Sequence, residues 1–247
     1  MHVPAFGRSL RLPLTLADLR RPGFTAGSPL TLAAAGVDAG GGGELAARPP
    51  ASGPAAEGHV ALTFDDGPHP EGTPQVLDVL AQFHAKATFF LVGEQVTRRP
   101  ELARRIMAEG HTVALHGYLH RPHPTRRAPV LADDFARGIA AIADATGVEP
   151  RLHRPPYGIY SAASLWLARE RGLQPLLWSR WGRDWRKVTT PEQIAARVLG
   201  ALRADDVILL HDADFYSARR SHRRTVAALP EILEALRSAR LSTVGFA

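Results

Sequence analysis

Thr63-Phe64-Asp65-Asp66-Gly67-Pro68 places two adjacent carboxylates at the end of an apolar run, His59 to Phe64, with a Gly-Pro pair directly behind them. Successive side chains on a strand point to opposite faces, so two carboxylates that act together require the chain to leave regular pleating there. Gly67 and Pro68 supply that turn. Two acids side by side repel each other, and the pair is stable where a cation neutralises one while the other stays free to move protons. Taken alone, the same residues read as a strand closed by an ordinary Asp-Gly-Pro turn. His116-Gly117-Tyr118-Leu119-His120 follows a second apolar run, Thr112 to Leu115, and sets two imidazoles four apart. That spacing predicts both rings on one side of a helical turn, where they can share a metal with a carboxylate brought from elsewhere.

The chain that must position these groups has 247 residues, 45% of them hydrophobic and 22% charged, enough for one sizeable core and one catalytic domain. It contains no Cys, which excludes disulfides, thiolate metal sites and Cys nucleophiles and leaves His and carboxylates as metal ligands. The net charge of +6 is carried mainly by Arg. It is read either as attraction to anionic surfaces and substrates or as an Arg-rich, solvated composition. No aromatic-basic motif supports nucleic-acid binding. No run of 18 or more apolar residues supports a membrane span.

Residues 1–57 differ in character from the rest. Gly40 to Gly43 and Arg48 to Pro54 read as a flexible linker, so this stretch is predicted to be an N-terminal extension outside the folded domain, 58–247. Arg20-Arg21 before the weakly apolar stretch Pro22 to Val37 is a faint twin-arginine-like export signal; the alternative is a disordered cytoplasmic extension.

From His59 onward short apolar runs alternate with amphipathic segments. The runs are Val60 to Phe64, Ala87 to Val92, Thr112 to Leu115, Arg151 to His153, Pro175 to Trp178, Val207 to Leu210 and Ser242 to Phe246. Helices are predicted over Pro74 to His84, Pro100 to Glu109, Leu131 to Thr146, Ser161 to Arg171, Pro191 to Arg203 and Thr225 to Arg240. Pro74, Pro100 and Pro191 suit first helical positions, and Gly110, Gly147 and Gly172 suit helix stops. The alternation predicts a parallel α/β architecture, a barrel or an open sheet. Asp65, Asp66, His116, Arg154, Asp184 and His211 all come just after an apolar run. The C-terminal strand ends of a parallel barrel converge on one face, and this favours the barrel.

Thr63 to Pro68, His116 to His120, Arg151-Leu152-His153-Arg154-Pro155-Pro156-Tyr157-Gly158, Asp184-Trp185 and Leu209-Leu210-His211 together resemble, in order, the five motifs of polysaccharide deacetylases with the NodB homology domain, carbohydrate esterase family 4. The resemblance implies a distorted (β/α) barrel, commonly seven-stranded, and metal-dependent removal of acetyl from an N-acetylated sugar. It implies that Asp66, His116 and His120 bind the metal, usually Zn2+ and sometimes Co2+ or Ni2+. Asp65 would be the general base, Arg154 would hold it ionised and oriented, and the Tyr157 N–H would help stabilise the oxyanion. His211 would protonate the departing amine, with Asp184 orienting its imidazole. Trp185 and Leu209 would line the acetyl pocket, with Pro155 and Pro156 beside the substrate.

The chain departs from the family pattern in places. Gly117 stands where Ser or Thr usually follows the first His, so a loop-stabilising hydroxyl is missing. His153 replaces a frequent aromatic and is expected to be a packed ring. His123 matches no family position. Arg121, Arg126 and Arg127 after the second motif, and Arg219, Arg220, Arg223 and Arg224 after His211, could attract an anionic glycan if their loops rim the pocket. The expected substrate is an N-acetylated glycan, polymer or oligomer. The alternatives are a small N-acyl metabolite and an inactive glycan-binding module.

Overall fold

A computed structural model describes residues 58–246. The 1–57 stretch, with its linker and twin-arginine-like readings, lies outside the described residues. The described chain runs β1 (Gly58–Asp65), α1 (Gly72–Gln82), β2 (Thr88–Leu91), α2 (Gly93–Arg98), α3 (Pro100–Ala108), β3 (Thr112–Leu115), α4 (Ala128–Thr146), β4 (Leu152–His153), α5 (Ala162–Glu170), β5 (Gln174–Pro175), β6 (Arg180–Trp181), α6 (Pro191–Leu199), β7 (Val207–His211), α7 (Ser221–Ser238) and β8 (Leu241–Thr243). All pairings are parallel, in the order β5-β4-β3-β2-β1-β7-β6, with β8 beside the start of β1. The sheet curls into a distorted (β/α) barrel.

The run expected over Pro175 to Trp178 is mostly not strand: only Pro175 falls in β5, and β6 follows beyond the run at Arg180–Trp181. β5 and β6 lie at opposite ends of the strand order but are separated by only Leu176 to Ser179. Leu176 N–H donates to His153 on β4 and Ser179 N–H to Val207 on β7, both at 3.0 Å. The covalent chain therefore bridges the ring at the point where it passes from one neighbour to the other. A strand cannot satisfy its backbone groups on both sides while making that crossing, and Arg154 takes up carbonyls left there, as described below.

Strand alternation divides the interior. On β1, Val60, Leu62 and Phe64 face the helices, where Phe64 stacks on Phe89 at 5.1 Å, while Ala61 belongs to a smaller cluster with Phe90, Ala114, Leu152, Leu176, Val207, Val244 and Phe246 inside the barrel. The period of two carries Thr63 and Asp65 onto that inner side above Ala61, and on β7 it does the same for Leu209 and His211 above Val207. The apolar floor of the barrel thus forces the polar ends of the same strands into a common mouth.

Local chemistry sets the helix limits. Ser161 and Thr190 form capping boxes with Ser164 and Gln193 at the starts of α5 and α6. Gly147 ends α4 with φ 76°. Burial of Leu131, Phe135, Gly138, Ile142 and Ala145 gives α4 one packed stripe, and a Cβ on Gly138 would come within 2.6 Å of Leu115 Cδ1. Several limits differ from expectation: α4 starts at Ala128 rather than Leu131, α6 ends at Leu199 rather than Arg203, and α7 starts at Ser221 rather than Thr225. α1 starts at Gly72 rather than Pro74, and α2 was not predicted because six residues carry too little periodicity to register.

Candidate active site

Asp65 ends β1 on the inner side. In a continuing strand Asp66 would face away, but its φ of 80° turns the chain and brings its carboxylate back to the same mouth. The left-handed conformation costs a non-glycine residue on the order of 1–3 kcal/mol and persists only where surrounding structure enforces it. Gly67 is part of that enforcement: a Cβ there would sit 2.5 Å from a carboxylate oxygen of buried Asp212. Asp212 accepts from Thr73 Oγ1, and burial raises it to about 7.

Asp66 Oδ1 lies 3.2 Å from His120 Nε2 and 3.5 Å from His116 Nε2. Tetrahedral bonds of about 2.0–2.1 Å place ligand atoms about 3.3–3.4 Å apart, so these spacings suit a zinc-sized cation. The helical turn expected for the two imidazoles is not present. His116 to His120 is a bent loop in which Gly117 takes φ 82°. The loop is held from α4, because Asp134 accepts the N–H groups of Tyr118 and Leu119 at 2.8 and 2.9 Å. Gly117 admits that carboxylate: a Cβ would meet Asp134 Oδ2 at 3.1 Å.

Proton placement makes the cluster a fit for a metal. His116 Nδ1 is 2.7 Å from the Arg154 carbonyl, which can only accept, so Nδ1 carries the proton and Nε2 turns its lone pair toward Asp66. Asp66 Oδ1 is buried without a hydrogen-bond partner among the described residues. Two imidazole nitrogens and one carboxylate oxygen, all within 4.8 Å of one another, form a partial coordination sphere with room for further ligands.

Two proton-handling groups flank that cluster. Asp65 Oδ1 accepts from Arg154 Nη1 at 2.7 Å, while Oδ2 faces His116 Nε2 at 3.7 Å. Arg154 is completely buried, which lowers its pKa, and the Asp65 charge works against that fall. Its other donors reach Thr63 Oγ1 at 2.9 Å and the Leu176 and Leu177 carbonyls at 2.9 and 3.2 Å, in the segment that crosses from β5 to β6. The guanidinium also lies 4.0 Å from the Phe90 ring centroid. Directly across the β1–β7 ladder from Asp65 stands His211. Its Nδ1 is 2.9 Å from Asp184 Oδ1, and Asp184 Oδ2 accepts from His211 N–H and Thr225 Oγ1, both at 2.7 Å. Burial pushes the His211 imidazole down, but Asp184, then Asp66 and Asp65, outweigh it and raise the pKa to about 10.

The remaining expected residues surround this mouth to different degrees. Tyr157 has φ 62° in a short 3-10 turn, the residue is 56% exposed, and its ring meets His120 edge-on at 4.6 Å. Trp185 meets the His211 ring at 5.5 Å and continues through Trp181 to Trp178. Leu209 is buried on β7, and Pro155 and Pro156 are buried below Tyr157. His153 is a packed ring: it is fully buried against Phe135 at 4.5 Å, Nδ1 pairs with the Tyr160 hydroxyl at 2.7 Å, and burial holds its pKa well below the usual value. His123 stacks on it at 5.6 Å, and burial likewise lowers it to about 4. In the second basic cluster Arg223 pairs with Glu71 at 2.8 Å, which offsets one charge, and Arg224 donates to the Arg186 carbonyl at 2.8 Å.

Sequence reasoning missed Thr225, Asp134 and Tyr216. Thr225 and Asp134 sit on helices and Tyr216 in the loop after β7, where the His120 ring stacks on it at 4.1 Å; none of them belongs to a strand-end motif, and no local pattern singled them out. A second cluster was also missed. His69 Nε2 lies 3.1 Å from Asp214 Oδ1, and His222 Nδ1 lies 3.6 Å from Asp214 Oδ2.

Comparison with known proteins places this architecture. A family model described as Polysaccharide deacetylase matches residues 52–176. Over 180 residues the chain is 38% identical to a peptidoglycan-N-acetylglucosamine deacetylase of Bacillus cereus, covering 72% of this chain and 81% of that protein. It is 40% identical over 185 residues to a chitooligosaccharide deacetylase of Bradyrhizobium sp., covering 72% and 84%. A family 4 carbohydrate esterase from Streptomyces lividans, solved with acetate, superposes with a TM-score of 0.69 at 32% identity, covering 76% of this chain and 93% of that one. The strand-end chemistry and these likenesses define a barrel hydrolase class. Within it, the chain belongs to the polysaccharide deacetylase family with the NodB homology domain, carbohydrate esterase family 4.

Proposed function

We propose that this protein is a divalent-metal-dependent deacetylase that removes N-acetyl groups from an N-acetylated amino-sugar glycan. One observation carries the reading: a carboxylate with a free oxygen, Asp65 Oδ2, and an imidazole with its pKa raised, His211, sit across one strand ladder on either side of the Asp66–His116–His120 cluster. The relatives named above, which act on peptidoglycan N-acetylglucosamine and on chitooligosaccharides, support the substrate class.

Asp66, His116 and His120 would hold the cation, with Zn2+ favoured by the donor set and Co2+ or Ni2+ as alternatives. When bound, such a cation supplies Lewis acidity, polarising the amide carbonyl and lowering the pKa of water from 15.7 towards roughly 7. Asp65 Oδ2 takes the proton from the attacking water, while Arg154 keeps Oδ1 engaged and the carboxylate oriented. The Tyr157 N–H helps receive the negative charge that develops on the carbonyl oxygen, a contribution on the order of 3 kcal/mol per donor elsewhere. His211 enters protonated. With Nδ1 committed to Asp184, Nε2 is the nitrogen that gives its proton to the departing amine as the C–N bond breaks. Trp185 and Leu209 bound the space for the acetyl methyl. The products are acetate and the free amino sugar.

The test is acetate release from N-acetylglucosamine oligomers, peptidoglycan fragments and small N-acyl amines by zinc-loaded wild type and Asp65→Asn. Equal background rates for both proteins on every substrate, with metal shown to be bound, would sink the reading.

A further inference from the structure

The two imidazoles of the candidate metal cluster are held in different ways. His116 is fixed by the Nδ1 hydrogen bond to the Arg154 carbonyl. His120 Nδ1 is buried and has no hydrogen-bond partner among the described residues. A ligating imidazole is ordinarily oriented through its second nitrogen, so His120 needs another restraint against rotation about its ring bond.

That restraint is aromatic. Tyr216, in the loop between β7 and α7, lies parallel to His120, with centroids 4.1 Å and planes 8° apart. Its hydroxyl receives Gln95 Nε2 at 3.2 Å and donates to Glu94 Oε1 at 3.1 Å. Both partners belong to α2, and the first residues of the same helix grip the ligand loop: Gly93 N–H donates to the Gly117 carbonyl and Glu94 N–H to the Tyr118 carbonyl, each at 2.9 Å. One short helix thus fixes the backbone that carries His120 and the ring that covers it. Rotation of His120 would have to displace a tyrosine anchored at both face and tip. A phenol face is also most favourable beside an imidazole that carries positive charge, as a metal-coordinated ring does.

We propose that Tyr216 is a positioning residue for His120, replacing the missing second-nitrogen hydrogen bond with a stacked ring tethered to α2. This rests on the metal reading above. Zinc is titrated into metal-free wild type, Tyr216→Phe, Tyr216→Leu and His116→Ala of the full chain, by calorimetry and by competition with a chelating dye. Visible spectra of the cobalt-loaded proteins report ligand geometry.

Tyr216→Leu removes the flat face and is expected to weaken zinc about tenfold or more, within the range for loss of an orienting partner, and to change the cobalt spectrum. Tyr216→Phe keeps the face and is expected to stay within about twofold of wild type. Leucine binding as tightly as wild type, or phenylalanine as weakly as leucine, overturns the proposal. Where the leucine protein does not fold, as judged by circular dichroism, Tyr216→Met takes its place with the same expectations. Failure of wild type to bind zinc, or undiminished binding by His116→Ala, would overturn the metal reading itself.

Discussion

Asp66–His116–His120 and Asp214–His69–His222 contain the same three side-chain types at similar spacing, yet their protons lie in different places. His69 Nδ1 accepts the N–H groups of Glu71 and Gly72 at 3.2 and 2.9 Å, at the start of α1. The ring proton must then sit on Nε2, where it meets Asp214 at 3.1 Å. A cation at that nitrogen would have to displace the proton and break those hydrogen bonds at the start of α1. In the first cluster the proton of His116 is drawn to the far side of the ring by the Arg154 carbonyl, and the near side is open. Composition and proximity nominate both clusters; proton placement separates one whose near face is open to a cation from one closed by hydrogen bonds.

The sharpest way to break that comparison is metal stoichiometry. Plasma mass spectrometry should find one zinc per chain, lost in His116→Ala together with about 10³-fold or more of the activity, and retained in His69→Ala. Two tightly bound ions would erase the distinction. The next largest effect belongs to Asp65→Asn, which should retain zinc but lose about 10²–10⁴-fold in kcat, the range for a general base.

Asp184→Asn tests the opposite arm through pH. With the carboxylate gone, the His211 pKa falls, so the alkaline limb of the kcat profile should move toward neutrality and the loss in rate should be least at acidic pH. The linkage has a definite sign. The raised folded pKa means that stability from this pair is fully present below the ordinary histidine value of 6.5 and is lost as pH rises toward about 10. Denaturant midpoints of the metal-free protein should therefore fall between those values in wild type and change less in Asp184→Asn. The smallest effect sharpens the second cluster. His69→Ala should cost roughly 0.5–1.5 kcal/mol through the lost hydrogen bonds to the Glu71 and Gly72 N–H groups, and His69→Asn should recover part of it, read from thermal or urea unfolding.

Much of the fold was legible because its signals are local. β3 falls on the expected Thr112 to Leu115, and Gly110, Gly147 and Gly172 all take positive φ at the helix ends. The break between β5 and β6 was not legible, since nothing in Pro175 to Trp178 says that the segment before it pairs with β4 and the one after it with β7. The helical turn drawn from the His116–His120 spacing failed for a related reason. Spacing sets which residues can be neighbours on a helix, but the carboxylate of Asp134 on α4 and the N–H groups at the start of α2 decide that the segment is a loop.

The amino-acid order alone determined the inventory of polar groups and their attachment to strand ends, because strand period and apolar runs depend on adjacent residues. Tertiary structure decided how those groups divide the chemistry. The Arg154 guanidinium reaches Asp65 across 89 residues, and its carbonyl reaches His116 across 38. The conformation of Asp66 is enforced by packing against the Gly67–Asp212 contact. Proton position, buried charge and ring orientation are set by such distant partners, so they exist only once the barrel has closed.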